Sequence, residues 1–362
     1  MKRSAMNARN VDSDSMTEHR YPWKWSLSDL KRIQPNGHTV FSCFSCGGGS
    51  TMGYKLAGYS VLGNCEIDPQ MMKLYRKNHR PKYHFLMDIR DFSKLPNSVL
   101  PEELRHLDIL DGSPPCSVFS MAGEREKGWN REKVFREGQK KQRLDDLFFW
   151  FIDVARRLRP KVVVAENVKG ILQGNAKGYV NQILREFDAA GYTTQIFLLN
   201  AATMGVPQRR ERAFFIARRK ELPYPKLKLT FSERPILFGE VRSQHGKPFE
   251  KPGVYSELLK HRRRSDTCIA DIALRIRGKE SGFNNKIESD GWVASTVVSN
   301  GCHFRMCDGL FLSDLDYINI QTFPQDYDFM GQSVQYVCGM SVPPVMMAQI
   351  AREMERQWFS RG

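Results

Sequence analysis

The sequence predicts an α/β protein: a doubly wound, mostly parallel sheet with helices on both faces, joined to a small irregular domain. Three observations predict it. Between His38 and about Arg218, short β-branched and aromatic runs alternate with helical patterns, the order that a parallel sheet with crossover helices requires. A glycine turn, Cys46-Gly-Gly-Gly-Ser50, stands between the first run and the first helical stretch. Such turns let backbone approach a ligand at the carboxyl end of a strand. From about Glu221 to Arg305, Pro, Gly, Lys, Arg and Ser rise and clean periodicity fades.

The elements follow in order. Residues 1–37 form a polar lead-in, with Trp23 and Trp25 available to pack it onto the body. Strands are predicted at Thr39–Phe44, Ser60–Glu66, Asp108–Leu110, Val162–Glu166, Thr193–Asn200 and Arg212–Ala217, and a further one ends at Met87-Asp88-Ile89. The run Val162-Val-Val-Ala is apolar throughout and reads as a buried strand. Helices are predicted at Gly53–Leu56, Pro69–Asn78, Arg143–Arg157 and Val180–Ala190. Val342 to Trp358 resumes as an amphipathic helix that returns to the first domain. The chain therefore divides into a lead-in (1–37), a main domain (38–220 with 325–362) and an inserted domain (221–324). It shows no internal repeat and no low-complexity tract.

Composition narrows the function. Lys and Arg exceed Asp and Glu by 15, which favours a polyanionic partner, nucleic acid ahead of a membrane surface. No apolar run is long enough to span a bilayer. The polar N-terminus lacks a signal-peptide core, so a cytoplasmic protein is expected. The eight cysteines have no framework spacing and read as reduced thiols. Cys43-x-x-Cys46 and Cys302-x4-Cys307 could be combined into a zinc site. The first pair, however, has another explanation in its strand-to-glycine turn, and no metal is expected.

Five segments carry chemistry. In Asp111-Gly-Ser-Pro-Pro-Cys116-Ser-Val-Phe-Ser120 two prolines stiffen the backbone before a thiol, which suits attack on an electrophile. The glycine turn is followed by Glu66 and then Asp88, both at strand ends. An acid at the first place grips ribose hydroxyls and one at the second accepts from an adenine amino group, so an adenosine-containing cofactor is indicated. Glu166 ends the Val-rich strand, where desolvation lets a carboxyl hold or donate a proton near neutral pH. Gly205-Val-Pro-Gln208-Arg209-Arg210-Glu211-Arg212 offers alternating guanidinium forks for a base oxygen or a phosphate. Gly339-Met-Ser-Val-Pro-Pro344 precedes the last helix, where proline is welcome in the first turn. Taken singly, these segments read equally as a tight turn, a helix cap, a solvated basic edge or a helix start.

Together and in this order, from about Thr39 to Met354, they resemble the motif series of the DNA cytosine-5 methyltransferases. The resemblance implies the S-adenosylmethionine-dependent, Rossmann-like methyltransferase sheet with a small target-recognition domain. It implies Cys116 as the nucleophile, Glu166 as the acid at cytosine N3, and Arg210 and Arg212 as supports of the flipped base. Phe44, Ser45, Gly48, Gly49, Glu66, Ile67, Asp88, Ile89, Pro115, Leu147, Ser341 and Val342 would bind S-adenosyl-L-methionine. Ser113, Pro114, Asn167 and Gln208 would face the substrate. Double-stranded DNA is then the partner, bound by a monomer, with a separately encoded restriction endonuclease as a counterpart in a bacterium or phage-infected cell. The charged loop Glu124–Arg143 is placed to close over flipped DNA.

The sequence also departs from the family pattern. Cys46 replaces the first glycine of the turn, and Met340 replaces an asparagine. Leu310, Ser313 and Asp316 stand where the family has Arg, Thr and Glu, although Gln321-Thr-Phe-Pro324 is retained. Two alternatives compete with the main reading: methylation of cytosine in transfer RNA, and a catalytically silent DNA-binding homologue. Cys116, Glu166 and Arg212 weigh against the second, and the sizeable inserted domain weighs against the first. A nicotinamide oxidoreductase would leave Pro114-Pro115-Cys116 unexplained.

Overall fold

A computed structural model describes residues 19–115, 146–278 and 285–360. The main sheet has seven strands: β1 (Thr39–Cys43), β2 (Ser60–Glu66), β3 (Tyr83–Leu86), β4 (Ile109–Gly112), β5 (Val162–Val168), β6 (Tyr192–Asn200) and β7 (Glu211–Arg219). Their order is β3-β2-β1-β4-β5-β7-β6, parallel except that β7 runs antiparallel to both β5 and β6. The chain leaves β1 toward one edge and β4 toward the other. The crevice at their carboxyl ends is the place where such sheets bind ligands.

Helices α1 (Gly49–Leu56), α2 (Pro69–His79), α3 (Ile89–Lys94), α4 (Leu147–Leu158) and α5 (Lys177–Ala189) follow successive strands. The inserted region carries α6 (Phe238–Val241), α7 (Val254–Leu259), α8 (Ile269–Arg277) and a two-stranded parallel ribbon of β8 (Lys286–Glu288) and β9 (His303–Arg305). Then come α9 (Asp314–Ile320), α10 (Val334–Met340) and α11 (Pro344–Met354). No described helix is long and apolar enough to cross a membrane.

Strand alternation builds a core on each face of the sheet. Val40, Ile109, Val162 and Val164 point to one side, with Met52, Tyr54 and Met347. Phe41, Leu110, Val163 and Ala165 point to the other, with Phe148, Phe151 and Ile183. Each fully buried Phe or Leu contributes roughly 1.5–3 kcal/mol. A third apolar cluster lies wholly within the insertion, around Leu259, Ile269, Ile272, Ile287 and Phe304. By contrast Leu227, Ile236, Phe238, Leu312 and Ile320 join the main core. The end of the lead-in is tied down by Trp25, whose indole N–H donates to the Thr322 carbonyl at 2.9 Å.

Helix α1 begins four residues before its predicted start, at Gly49. Its glycines disfavour a helix locally, but they permit close packing on α11. A Cβ on Gly53 would lie 2.5 Å from the Met347 Cβ and from the Pro344 carbonyl oxygen. Tertiary packing overrides propensity here.

Candidate active site

The glycine turn lies at the carboxyl end of β1. Gly48 adopts φ +79°, and a Cβ there would meet the buried His79 ring at 2.1 Å. A Cβ on Gly49 would meet the Val342 carbonyl at 2.1 Å. The Gly47 carbonyl is held from two sides, by Tyr327 Oη at 2.6 Å and His79 Nε2 at 3.0 Å. Two non-glycine residues also take left-handed backbone, Phe44 (φ 55°) and Cys46 (φ 45°), conformations that favour glycine.

Across the turn, Glu66 is buried at the end of β2. Its Oε2 accepts from the Cys46 N–H at 2.9 Å, and its Oε1 from the Ile67 and Asp68 N–H groups at 2.9 and 3.0 Å. Burial raises its pKa, against the lowering effect of these backbone bonds. Asp88 caps α3 through the Arg90 N–H at 2.8 Å and pairs with the Arg90 guanidinium at 3.0 Å, which reaches on to Asp146.

A cavity opens between these groups. Of the residues expected to bind the cofactor, Phe44, Glu66, Ile67, Asp88, Ile89, Pro115 and Leu147 line it. A smaller polar recess shares Phe44 and Ser113 with that cavity and is lined also by Ser45, Gly49, Ser341 and Val342. Gly48, also expected to bind the cofactor, lines neither hollow and packs against the His79 ring. Phe44, Ile67, Ile89 and Leu147 give apolar walls for a planar base, and Glu66 and Asp88 supply acceptors. The residues present therefore fit an adenosine-containing group. Ser113, expected to face the substrate, lines this cavity too.

The second half of the site is the end of β5. Glu166 Oε1 accepts from Arg212 Nε at 2.9 Å, and both side chains are largely buried. Asn167 is buried; its Nδ2 donates to the Pro114 carbonyl at 3.1 Å, and its own Oδ1 accepts from the Val168 N–H. That bond ties the Pro114-Pro115 turn to the strand that carries Glu166. Cys116 and the loop Glu124–Arg143 lie outside the described residues.

Gln208 and Arg210 are placed differently. Gln208 is fully buried; its amide donates to Gln321 Oε1 at 2.7 Å and accepts from the Val297 N–H at 2.9 Å. Arg210 donates to the carbonyls of Val297, Gly339 and Ser341 at 2.9–3.1 Å. Burial, with Arg212 nearby, lowers its pKa well below the usual guanidinium value. These two residues join the main sheet to the insertion and to the segment before α11.

Some lining residues have no role assigned from the motifs. Met71, Met87, Tyr336 and Met340 belong to the cavity wall, and Asp111 lines the recess. Arg305 is another. It is buried beside Asp316 at 3.5 Å and Asp308 at 3.1 Å, and it donates to Ser243 Oγ at 3.1 Å. Ser313 and Asp316 retain a reciprocal cap on α9, at 3.1 and 2.8 Å. Among the described residues, no group of three or more His, Cys, Asp or Glu is arranged to hold a metal.

Comparison with known proteins agrees with the fold. The model of the C-5 cytosine-specific DNA methylase family matches residues 38–356. The Type II methyltransferase M.FnuDI of Fusobacterium nucleatum is 36% identical over 278 residues, 74% of this chain and 72% of its own. M.Eco47II of Escherichia coli is 34% identical over 360 residues, 90% and 80% of the two chains. Among solved structures, a prophage-encoded DNA modification methyltransferase from E. coli superposes with a TM-score of 0.64 at 18% identity, over 89% of this chain and 99% of that one. A DNMT2 variant from Spodoptera frugiperda superposes at 0.61 and 16%, over 88% and 99%. At such identities these two matches establish the shared fold.

Proposed function

The chain belongs to the C-5 cytosine-specific DNA methylase family, and from that premise we propose which of its residues perform the reaction. It is a DNA cytosine-5 methyltransferase. The observation that best supports this reading is the Asn167–Pro114 bond, which ties the segment before Cys116 to the strand that carries Glu166.

Cytosine C5 is a weak nucleophile, and a base inside a duplex is out of reach, so the target is flipped out. Cys116, as thiolate, adds to C6. Glu166 engages N3 and neutralises the charge that the addition places on the ring. Arg212 holds the Glu166 carboxyl in place. C5, made enamine-like by that addition, would take up the methyl group; its proton would then pass to water, the N3 proton back to Glu166, and the Cys116 thiolate would depart, which restores the ring. S-Adenosylmethionine, held by Phe44, Glu66, Asp88 and Leu147, supplies the electrophilic methyl group when bound. The insertion, residues 221–324, reads DNA sequence, and the basic surplus supports backbone contacts. Gln208 and Arg210 position the insertion against the sheet rather than touch the base.

The curated relatives are named Type II methyltransferases. On that likeness the protein modifies a short recognition sequence in the cytoplasm of a bacterium or phage-infected cell. It acts as a monomer on duplex DNA, opposite a separately encoded endonuclease.

The test is transfer of labelled methyl to duplex DNA, with transfer RNA in parallel, followed by nucleoside analysis. 5-Methylcytosine from DNA alone is expected, and Cys116→Ser should abolish it while sparing DNA binding. Label in RNA only, or label retained by Cys116→Ser, would overturn the assignment.

A further inference from the structure

Among the described residues, Asp111 is a buried carboxyl without a cation. It stands one residue before the end of β4, opposite Ser42 of β1, and it is 2% exposed. Its Oδ2 accepts from Ser42 Oγ at 2.9 Å and its Oδ1 from Tyr54 Oη at 3.3 Å; the Ser50 hydroxyl lies near enough to favour its charged form. The other ionisable groups that face it are Glu166 from β5, Cys43 from β1 and Tyr75 from α2. None of them is cationic, and among the described residues no ion pair includes Asp111. A buried carboxylate is ordinarily paired. This one instead lines the polar recess at the inner end of the cofactor cavity.

The orientation of a bound cofactor decides what enters that recess. Glu66 and Asp88 mark the adenosine end of the cavity. The methyl group must reach a base beside Cys116, so the sulfur and the amino-acid end lie inward, toward Ser113 and Ser341. We propose that Asp111 is a cofactor-binding residue and that its carboxylate receives the α-ammonium group of the methionine end.

This assignment rests on the methyltransferase reading above. The three hydroxyls around Asp111 can each donate or accept, so the carboxyl can be neutral or charged without repacking. Burial raises its pKa to about 7, with Glu166 adding to the rise against the hydroxyl bonds. Pairing with an ammonium would lower it again. Binding near neutral pH should then release a proton.

Calorimetric titration of the full chain, in buffers of differing ionisation enthalpy, reads that proton. The probes are S-adenosylhomocysteine, which has the amino-acid end but no sulfonium, and 5′-deoxy-5′-methylthioadenosine, which lacks the amino-acid end. S-Adenosylhomocysteine should release about half a proton at pH 7 and little above about pH 8.5; methylthioadenosine should release none. Asp111→Asn should abolish the release and weaken S-adenosylhomocysteine about tenfold or more, leaving methylthioadenosine affinity unchanged. Equal weakening of both ligands, or binding of S-adenosylhomocysteine to the unsubstituted chain without proton release, would overturn the Asp111 assignment alone. Failure of both ligands to bind would overturn the cofactor reading and this assignment with it.

Discussion

Arg210 and Arg212 stand two residues apart, yet their guanidinium groups serve different contacts. Arg212 meets Glu166 at 2.9 Å, whereas Arg210 bonds three backbone carbonyls from residues 297, 339 and 341. Substitutions should separate the two. Arg210→Ala leaves buried acceptors unpaired, each costing about 1–3 kcal/mol. Its urea midpoint should fall sharply, by more than about 3 kcal/mol in unfolding free energy. Arg212→Lys keeps a charge beside Glu166 but loses the planar fork. Its midpoint should hold within about 1 kcal/mol while kcat falls at least about tenfold. A matched loss of stability in both variants would refute the division of roles.

Glu166 is the acid in the proposed reaction, so Glu166→Gln should lower kcat by about 10²–10⁴. The residue does not line the cofactor cavity, and the dissociation constant for S-adenosylhomocysteine should stay within about twofold. Single-turnover rates and calorimetry on the same preparation would check both. Comparable losses in rate and cofactor affinity would place Glu166 in scaffold support instead.

The glycine turn makes opposite predictions at two neighbours. Gly48→Ala would put a methyl 2.1 Å from the His79 ring at φ +79°, in a backbone region costly for side chains. It should destabilise the fold by more than about 2 kcal/mol and abolish measurable cofactor binding. Cys46 already occupies left-handed backbone, at φ 45°. Cys46→Gly should relieve about 1 kcal/mol, less what is lost when its sulfur leaves the Met71 sulfur 3.7 Å away. Its thermal midpoint should therefore equal or exceed that of the parent chain. A clear fall would mean that the Cys46 side chain, rather than backbone freedom, stabilises this turn.

Much of the sheet was legible because each strand is an apolar run bounded by Gly, Pro or a charge. Thr39–Cys43, Ser60–Glu66 and Tyr192–Asn200 fall within a residue of expectation. Glu66, Asp88 and Glu166 were legible for the same reason: each is an acid that closes such a run. Arg210 was harder to place, since alternation suggests the same face as Arg212 and only tertiary contacts carry its fork to Val297 and Gly339. Asp111 went unread because nothing in Ile-Leu-Asp-Gly reports that its neighbours are hydroxyls rather than a lysine. Arg305 illustrates the same point, since it reaches Asp316 across a fold boundary that no spacing encodes. The extent of the insertion's own core was also hidden, because residues 312–324 have the same apolar character whether they pack on the insertion or on the main sheet.

Stability against pH offers a last prediction, because two buried groups act in opposite directions over one window. His79 is buried against Gly47; burial, aided by Lys55, lowers its pKa from 6.5 to about 3. The unfolded chain takes up that proton below pH 6.5 and the folded chain does not. The His79 contribution is therefore full above pH 6.5 and declines as pH falls toward 3. Asp111 is the reverse case, raised from 3.8 to about 7 by burial. Its folded form keeps the proton that the unfolded chain releases, so its contribution is full below pH 3.8 and is lost as pH rises toward 7. Between about pH 4 and 6.5 the two slopes, each up to about 1.4 kcal/mol per pH unit, oppose one another. Removing either group should expose the other. Relative to the parent chain, His79→Gln should become less destabilising from pH 7 to pH 5, by up to about 2 kcal/mol, while still donating to the Gly47 carbonyl. Asp111→Asn should become more destabilising over the same descent, by a similar amount. Urea unfolding of the three proteins at pH 5, 6 and 7 would show the divergence. Parallel curves would mean that neither group changes its proton on folding, and that the Asp111 carboxyl is already ionised in the free protein.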